Sequence, residues 1–187
     1  MQLACDHLDD DGEVLLVKPT TVSDQRGFFT HPLTLADLRW LGIPLAVAYA
    51  RARSLEHALR GLHYHRGPSA PGRLVSVMHG TTYAVAVDAR AESPHYLRGY
   101  GVTLSADEPA YLWVPPGFAH GTFTLSPSAV LYYGFTSEAF DVPEAGLPWD
   151  DPALALEWPI PSGIQPILSA RDRAWRPVSV PGPDRTP

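Results

Sequence analysis

The chain has 187 residues, 45% hydrophobic and 18% charged, with a formal net charge of −6. That length suits one domain spanning residues 1–187, and the composition excludes a disordered or supercharged chain. The acidic balance and the want of a Lys/Arg-rich run argue against nucleic acid as a partner. Twenty prolines and fifteen glycines favour short strands and turns over long helices. Cys5 is the one cysteine, which forbids an intramolecular disulfide and a four-cysteine zinc site. The start, MQLACDHLDDDGEV, lacks the basic and apolar stretches of a signal peptide, and no apolar run reaches the ~20 residues of a membrane span. The expectation is a protein of the reducing cytoplasm with no membrane partner.

In chain order, residues 14–18 alternate as a strand and a turn follows at 23–27. Residues 35–41, in TLADLRWLG, carry the one good helical spacing, closed by Gly42 and Pro44. Apolar runs of strand length then arrive at 45–49, 58–64, 73–78, 81–88, 99–104, 111–114, 121–125 and 129–135. Turn sequences such as RGPSAPG, AESPH, SADEP and PPG separate them. From Asp141 onward proline punctuates the chain, which predicts loop and short helical turns, with a loose tail at 180–187. The pattern predicts an all-β fold, a jelly-roll barrel covered by a short C-terminal helical and loop segment.

Chemistry concentrates in few places. In RGLHYH, alternation puts His63 and His65 on one strand face with Gly61 leaving space beside them. The turn PPGFAHG delivers His120 at a strand start. Acids and phenols follow at Asp88, Tyr132, Tyr133, Asp150, Asp151 and Asp172. Singly, a strand histidine is most often a packed or surface residue, WDDP a turn or cap, and a strand tyrosine packing. Three histidines converging on the inner surface of a small barrel are more than that. H-x-H with a distant P-x-G-x-x-H is also the outline of a cupin metal site. The glutamate that usually follows the second histidine is absent here, where the chain reads RGPSAPGR. A three-histidine site at His63, His65 and His120 stays open as the alternative to a metal-free pocket.

DQRGFF (24–29), LRGLHY (59–64), AVDAR-x-x-SP (86–94), LSA (104–106), LWVPPGFAHG (112–121), TLS (124–126), WDDP (149–152), EWP (157–159) and LSARD (168–172) occur in one order. Together they resemble the dTDP-4-dehydrorhamnose 3,5-epimerase family, metal-independent cupin enzymes that invert carbons beside the 4-keto group of a nucleotide sugar. The resemblance covers roughly residues 14–177 and implies no metal and no cofactor. It implies His63 as the base, Asp172 as its carboxylate partner and Tyr133 as the acid. Arg26 and Arg60 match residues that grip the diphosphate, Phe28 or Phe29 would pack against the base of the nucleotide, and His120 would help hold the substrate. It also implies a homodimer in which the RGFF segment reaches into the partner subunit.

Departures from the family pattern are concentrated at substrate-holding positions. Arg73 stands where lysine is usual and keeps a positive charge for an enolate. Thr30–His31 replaces a glutamate, His65 a glutamine, and Phe140 remains of an expected aromatic pair. The strand before RGLHY reads AVAYARAR, so a usual Q-x-N pattern gives way at Ala48-Tyr49-Ala50. The expected activity is epimerisation of a dTDP-4-keto-6-deoxyhexose at C3, C5 or both. The alternatives are an isomerase or cyclase acting on a non-nucleotide carbonyl compound, and a metal-binding or non-catalytic cupin.

Overall fold

The computed structural model describes residues 3–67, 69–138, 144–154 and 156–178, so Phe140 and the expected tail at 180–187 lie outside the described residues. In chain order the elements are β1 (Leu3–His7), β2 (Leu15–Pro19), β3 (Thr21–Asp24), β4 (Gly27–Thr30), α1 (Leu35–Trp40), β5 (Ala48–Leu55), β6 (Leu59–His65) and β7 (Arg73–His79). They continue as β8 (Thr81–Asp88), β9 (Gly99–Ser105), β10 (Tyr111–Val114), β11 (Phe118–Thr124), β12 (Ser128–Phe135), β13 (Glu144–Gly146) and α2 (Ala170–Arg173).

Two antiparallel sheets face each other across an apolar core, one ordered β1-β2-β10-β7-β12-β5 and the other β13-β6-β11-β8-β9. Val75, Val77, Leu112 and Leu131 of the first sheet meet Ala84, Ala86, Leu104 and Phe118 of the second. This is the all-β jelly-roll sandwich expected from the spacing of strands and turns. The hairpin β3–β4 stands apart from both sheets, and all of β3 is exposed.

The outward faces of the sheets are also covered. Behind the first sheet, Leu15, Val17, Leu74 and Trp113 pack against Leu38 of α1 and Ile43. A capping box between Thr34 and Asp37 starts that helix, and Gly42, at φ +69°, follows its end. Behind the second sheet, Leu62, Val85 and Val87 pack against Leu147, Leu154, Leu156 and Trp158 from the C-terminal segment. Covering both faces explains why β8 and β10 read as unbroken apolar runs.

Most strands lie within a few residues of their expected positions, and β5 does not. The sequence places a strand at 45–49, whereas β5 pairs with β12 over Ala48–Leu55. Its alanines sit opposite the inward-facing residues of β12, and Arg51 and Arg53 alternate with them, so a small-residue face conceals the strand. Strands β1, β3, β4 and β13 are additions to the sequence-based expectation.

Candidate active site

A single bulge creates the floor of the site. Along β6 and β11, His63 pairs with His120 and Arg60 with Thr122, so Gly61 and Leu62 together oppose Gly121. Strict alternation would put positions 60 and 63 on opposite faces. The extra residue instead turns both Arg60 and His63 into one cavity, while Leu62 packs in the outer core. Gly61 is not the open space that alternation suggests. At φ +120°, a Cβ there would lie 2.7 Å from both Gly121 Cα and His120 O, so only glycine fits the bulge.

The cavity holds about 490 Å³ and opens between the sheets. From the second sheet it receives Arg60, His63, His120 and Thr122, and from the first Ala50, Ala52, Arg73 and Tyr133. Ser169, Arg171 and Asp172 at α2 close one side. The size is within the range of small-molecule sites, roughly 300–1,000 Å³.

His63 Nε2 lies 2.5 Å from Asp172 Oδ1, and Asp172 is buried. Because a carboxylate accepts, Nε2 carries the hydrogen and Nδ1 the lone pair. Ser169 caps α2 by accepting from the Asp172 backbone N–H at 3.0 Å, which aims the carboxylate inward. Arg171 Nη2 sits 3.3–3.4 Å from the two ring nitrogens, and the same guanidinium bonds Glu144. Trp175 meets the imidazole edge-on, with ring centroids 6.2 Å apart.

Across the cavity, burial pushes the Tyr133 phenol above the ordinary tyrosine value, while Arg73, Arg60 and a hydrogen bond with Thr122 draw it partly back. Tyr133 therefore keeps its proton at neutral pH. Arg73 is buried, with its guanidinium carbon 5.8 Å from the Phe135 ring centroid. Its Nε has no hydrogen-bond partner, and no carboxylate lies within ion-pair distance among the described residues. A buried, unneutralised guanidinium is costly in the empty protein and favours an anionic ligand. Arg60 donates from Nε to Ser54 Oγ at 2.8 Å and from Nη2 to the Arg53 carbonyl at 3.0 Å, which braces it along the cavity wall.

His120 is held differently. Its Nδ1 lies 2.9 Å from the Val85 carbonyl oxygen, and burial together with nearby Arg73 pushes its pKa down to about 3. His65 lines a separate cavity with Arg66 and Arg90, and burial with the Arg73 charge lowers its pKa. The structure therefore does not gather His63, His65 and His120 into a ligand set. Among the described residues no group of three His, Cys, Asp or Glu side chains is arranged to hold a metal ion.

Two expected site residues lie elsewhere in the chain. Arg26 and Phe28 sit on the β3–β4 hairpin, where Arg26 is tied to Asp24 and Phe28 is half exposed. They line a hollow of their own rather than the cavity of His63. Of the other acids and phenols, Asp88 pairs with Arg90, Asp151 accepts from the Ala153 and Val178 N–H groups, and Tyr132 stacks on Tyr49.

A family model described as dTDP-4-dehydrorhamnose 3,5-epimerase matches residues 12–179. The chain belongs to the dTDP-4-dehydrorhamnose 3,5-epimerase family. The enzyme of that name from Escherichia coli K12 is 39% identical over 162 residues, 86% of each chain. The crystal structure of the Legionella pneumophila dTDP-6-deoxy-D-glucose-3,5-epimerase with dTDP-4-keto-L-rhamnose aligns at a TM-score of 0.85 and 34% identity, covering 94% of this chain and 92% of that one. A 3'-monoepimerase from Streptomyces bikiniensis, in complex with dTDP-quinovose, aligns at 0.80 and 27% identity, covering 88% and 83%. The sandwich of this epimerase is the cupin-type jelly roll of its family, and the chain is an isomerase.

Arg171, Thr122 and Ser169 line the cavity and Glu144 and Trp175 stand beside it, and the sequence alone did not single them out. Arg171 and Ser169 lie inside the LSARD motif, so the motif was a signal for them. Glu144 belongs to a three-residue strand in a proline-punctuated segment, and nothing local marks it.

Proposed function

We propose that this epimerase inverts one or both carbons beside the ketone of a dTDP-4-keto-6-deoxyhexose, through an enolate, with His63 as base and Tyr133 as acid. The observation that carries the reading is one cavity lined on its two sheets by a carboxylate-bound imidazole and a protonated phenol, with unneutralised Arg73 near the phenol. The ring nitrogen of His63 left free by Asp172 takes the proton from carbon, and the C–H electron pair moves onto the ketone oxygen. Arg73 offers its charge to that oxygen. Tyr133 returns a proton to the opposite face as the enolate collapses to the ketone. The resulting imidazolium and phenolate then re-equilibrate with solvent. Asp172 orients the ring and stabilises its charged form.

Arg60 and Arg171 supply guanidinium donors suited to the diphosphate oxygens, with Arg171 held by Glu144. Arg26 and Phe28 reach the nucleotide of a partner subunit: we propose a homodimer in which the exposed β3–β4 hairpin completes the neighbour's site. Three faces of that hairpin's surface, Val22, Phe28 and Phe29, expose half or more of their area, which a second copy would cover. A cytoplasmic setting accompanies this reading, and no helix among the described residues is long and apolar enough to cross a membrane.

The small-residue face of β5 favours a second reading, a non-nucleotide carbonyl substrate, because β5 lines the cavity with Ala50, Arg51 and Ala52 and the family's usual Q-x-N pattern is absent. One experiment decides between them. Incubation in deuterium oxide with dTDP-4-keto-6-deoxyglucose should place deuterium on a carbon beside the ketone, and dTDP should raise the melting temperature. Absence of both labelling and stabilisation by dTDP would hand the lead to the second reading.

A further inference from the structure

Arg73 opens β7 as a buried cation whose Nε lacks a hydrogen-bond partner, and among the described residues no carboxylate lies within ion-pair distance of it. Its position is fixed by the first sheet. Arg73 pairs with Phe135 of β12, and its guanidinium carbon lies 5.8 Å from that ring's centroid. Phe135 stacks on Tyr133, with centroids 6.1 Å apart and planes 20° from parallel. Tyr133 pairs with Val75, two residues along β7, so Arg73 and Tyr133 are diagonal neighbours on the cavity face. The charge therefore stands beside the acid that must reach the reacting carbon.

The two enolates that the reaction can form differ in what they present to such a group. Loss of the C3 hydrogen makes a C3–C4 double bond inside the sugar ring, which holds the C3 and C4 oxygens side by side in one plane. Loss of the C5 hydrogen makes a C4–C5 double bond, which puts the C6 methyl in that place beside the C4 oxygen. A guanidinium carries its N–H donors in a planar fork that takes two adjacent oxygens at once. Against the C3 enolate both limbs are used. Against the C5 enolate one limb meets a methyl group and stays buried and unpaired, which is penalised. The ammonium of a lysine, usual at this position, is a point charge that serves the C4 oxygen of either enolate alike.

We infer that Arg73 grips the C3 and C4 oxygens together as the enolate forms, and so directs this epimerase to C3 in preference to C5. The inference rests on the nucleotide-sugar reading above and adds to it which of the two carbons is inverted. The C3–H bond breaks, its proton passes to His63, and its electron pair becomes the C3–C4 double bond as the C4–O π pair moves onto oxygen. The reverse electron flow then takes the Tyr133 proton at C3 from the opposite face and restores the ketone. His63 keeps the first proton until both groups re-equilibrate with solvent.

The test measures initial rates of deuterium incorporation at C3 and at C5 of dTDP-4-keto-6-deoxyglucose in deuterium oxide. Wild-type enzyme should label C3 about tenfold faster or more, the penalty of one unpaired buried donor on the C5 route. This readout needs no variant to fold. In Arg73→Lys the C3-to-C5 ratio should fall by about tenfold, whatever the total rate. The 3-deoxy analogue, which lacks the C3 oxygen, closes a double-mutant cycle between residue and substrate. On it, wild type and Arg73→Lys should give the same ratio. Equal labelling of the two carbons by wild-type enzyme, or faster labelling of C5, overturns the inference and leaves the epimerase reading intact. So does an unchanged ratio in Arg73→Lys, or a difference between the two proteins that survives on the analogue. Absence of labelling at both carbons sinks the epimerase reading and this inference with it.

Discussion

His63 and His120 are partners across β6 and β11, yet one imidazole is bound to the Asp172 carboxylate at 2.5 Å and the other to the Val85 carbonyl at 2.9 Å. A buried carboxylate stands behind His63, fixing Nε2 as the donor and leaving the lone pair on Nδ1. The neutral carbonyl gives His120 no such support, and burial with Arg73 nearby holds that ring uncharged. What stands behind each imidazole therefore differs, which suits His63 to the proton transfer proposed above and keeps His120 a neutral ring.

His63→Ala should abolish deuterium exchange, since no other group in the cavity combines a free lone pair with a carboxylate behind it. Asp172→Asn should cost less, about 10²–10⁴ in kcat, the usual contribution of assisted proton transfer. The amide preserves shape but removes the negative charge. Rates in single-turnover exchange check both, and equal loss in the two variants would remove Asp172's assigned role.

Tyr133→Phe should separate proton removal from inversion. Abstraction and return can both use the His63 face, so washout at the first centre should continue while the inverted product disappears. Burial raises the Tyr133 pKa above 10.0, the ordinary phenol value, against the opposing pull of Arg73 and Arg60. Inversion in the wild type should accordingly persist to a higher pH than an ordinary tyrosine would allow. Nuclear magnetic resonance of product stereochemistry against pH tests this, and loss of inversion with an apparent pKa below 10 counts against it.

Legibility in the sequence followed burial. Strands β8 and β10, apolar on both faces, coincide with the expected 81–88 and 111–114. Strand β5 hides because inward alanines carry little signal and outward arginines suggest a loop. The turn of the β3–β4 hairpin is readable, while its strands are not, because they bury no face within one chain. His63, Tyr133 and Asp172 could be named from family motifs. Their convergence depends on a bulge at Gly61–Leu62 and on a contact spanning 109 positions between His63 and Asp172, which local periodicity cannot reveal.

Metal analysis addresses the cupin alternative. His65 lines a separate cavity, and no three His, Cys, Asp or Glu side chains among the described residues are arranged around one point, so His63 and His120 lack further protein ligands for an ion. Protein purified without added metal should contain far less than one equivalent of zinc, iron or nickel by elemental analysis, and chelator should leave exchange activity unchanged. Stoichiometric metal with activity lost to chelator would reverse the assignment.

The buried neutral state of His120 should make stability fall on acidification. Its folded pKa, about 3, is below the unfolded value of 6.5, so between these limits the unfolded chain binds the extra proton. Stability from this group is full above 6.5 and is lost as pH drops toward 3, at up to about 1.4 kcal/mol per pH unit. His120→Gln, which cannot titrate, should flatten the acid side of the stability profile by up to that slope. Urea titrations of both proteins between pH 7 and 5 provide the comparison, and parallel profiles would show that His120 titrates normally.

Subunit mixing tests the hairpin. One variant, His63→Ala, lacks the base but keeps its hairpin. Another, Arg26→Ala with Phe28→Ala, keeps the base but has a disabled hairpin. If each hairpin serves the partner's cavity, a mixed dimer holds one site with both defects and one site with neither. Random reassociation of equal amounts makes half of the dimers mixed, so about a quarter of wild-type activity should reappear from two nearly inactive parents. If the hairpin served its own chain, every site in every dimer would carry a defect and mixing would restore nothing. The hairpin's position away from the His63 cavity, with Phe29 60% exposed, favours recovery. Light scattering at micromolar concentration accompanies the assay, and a mass of one chain would exclude the exchange altogether.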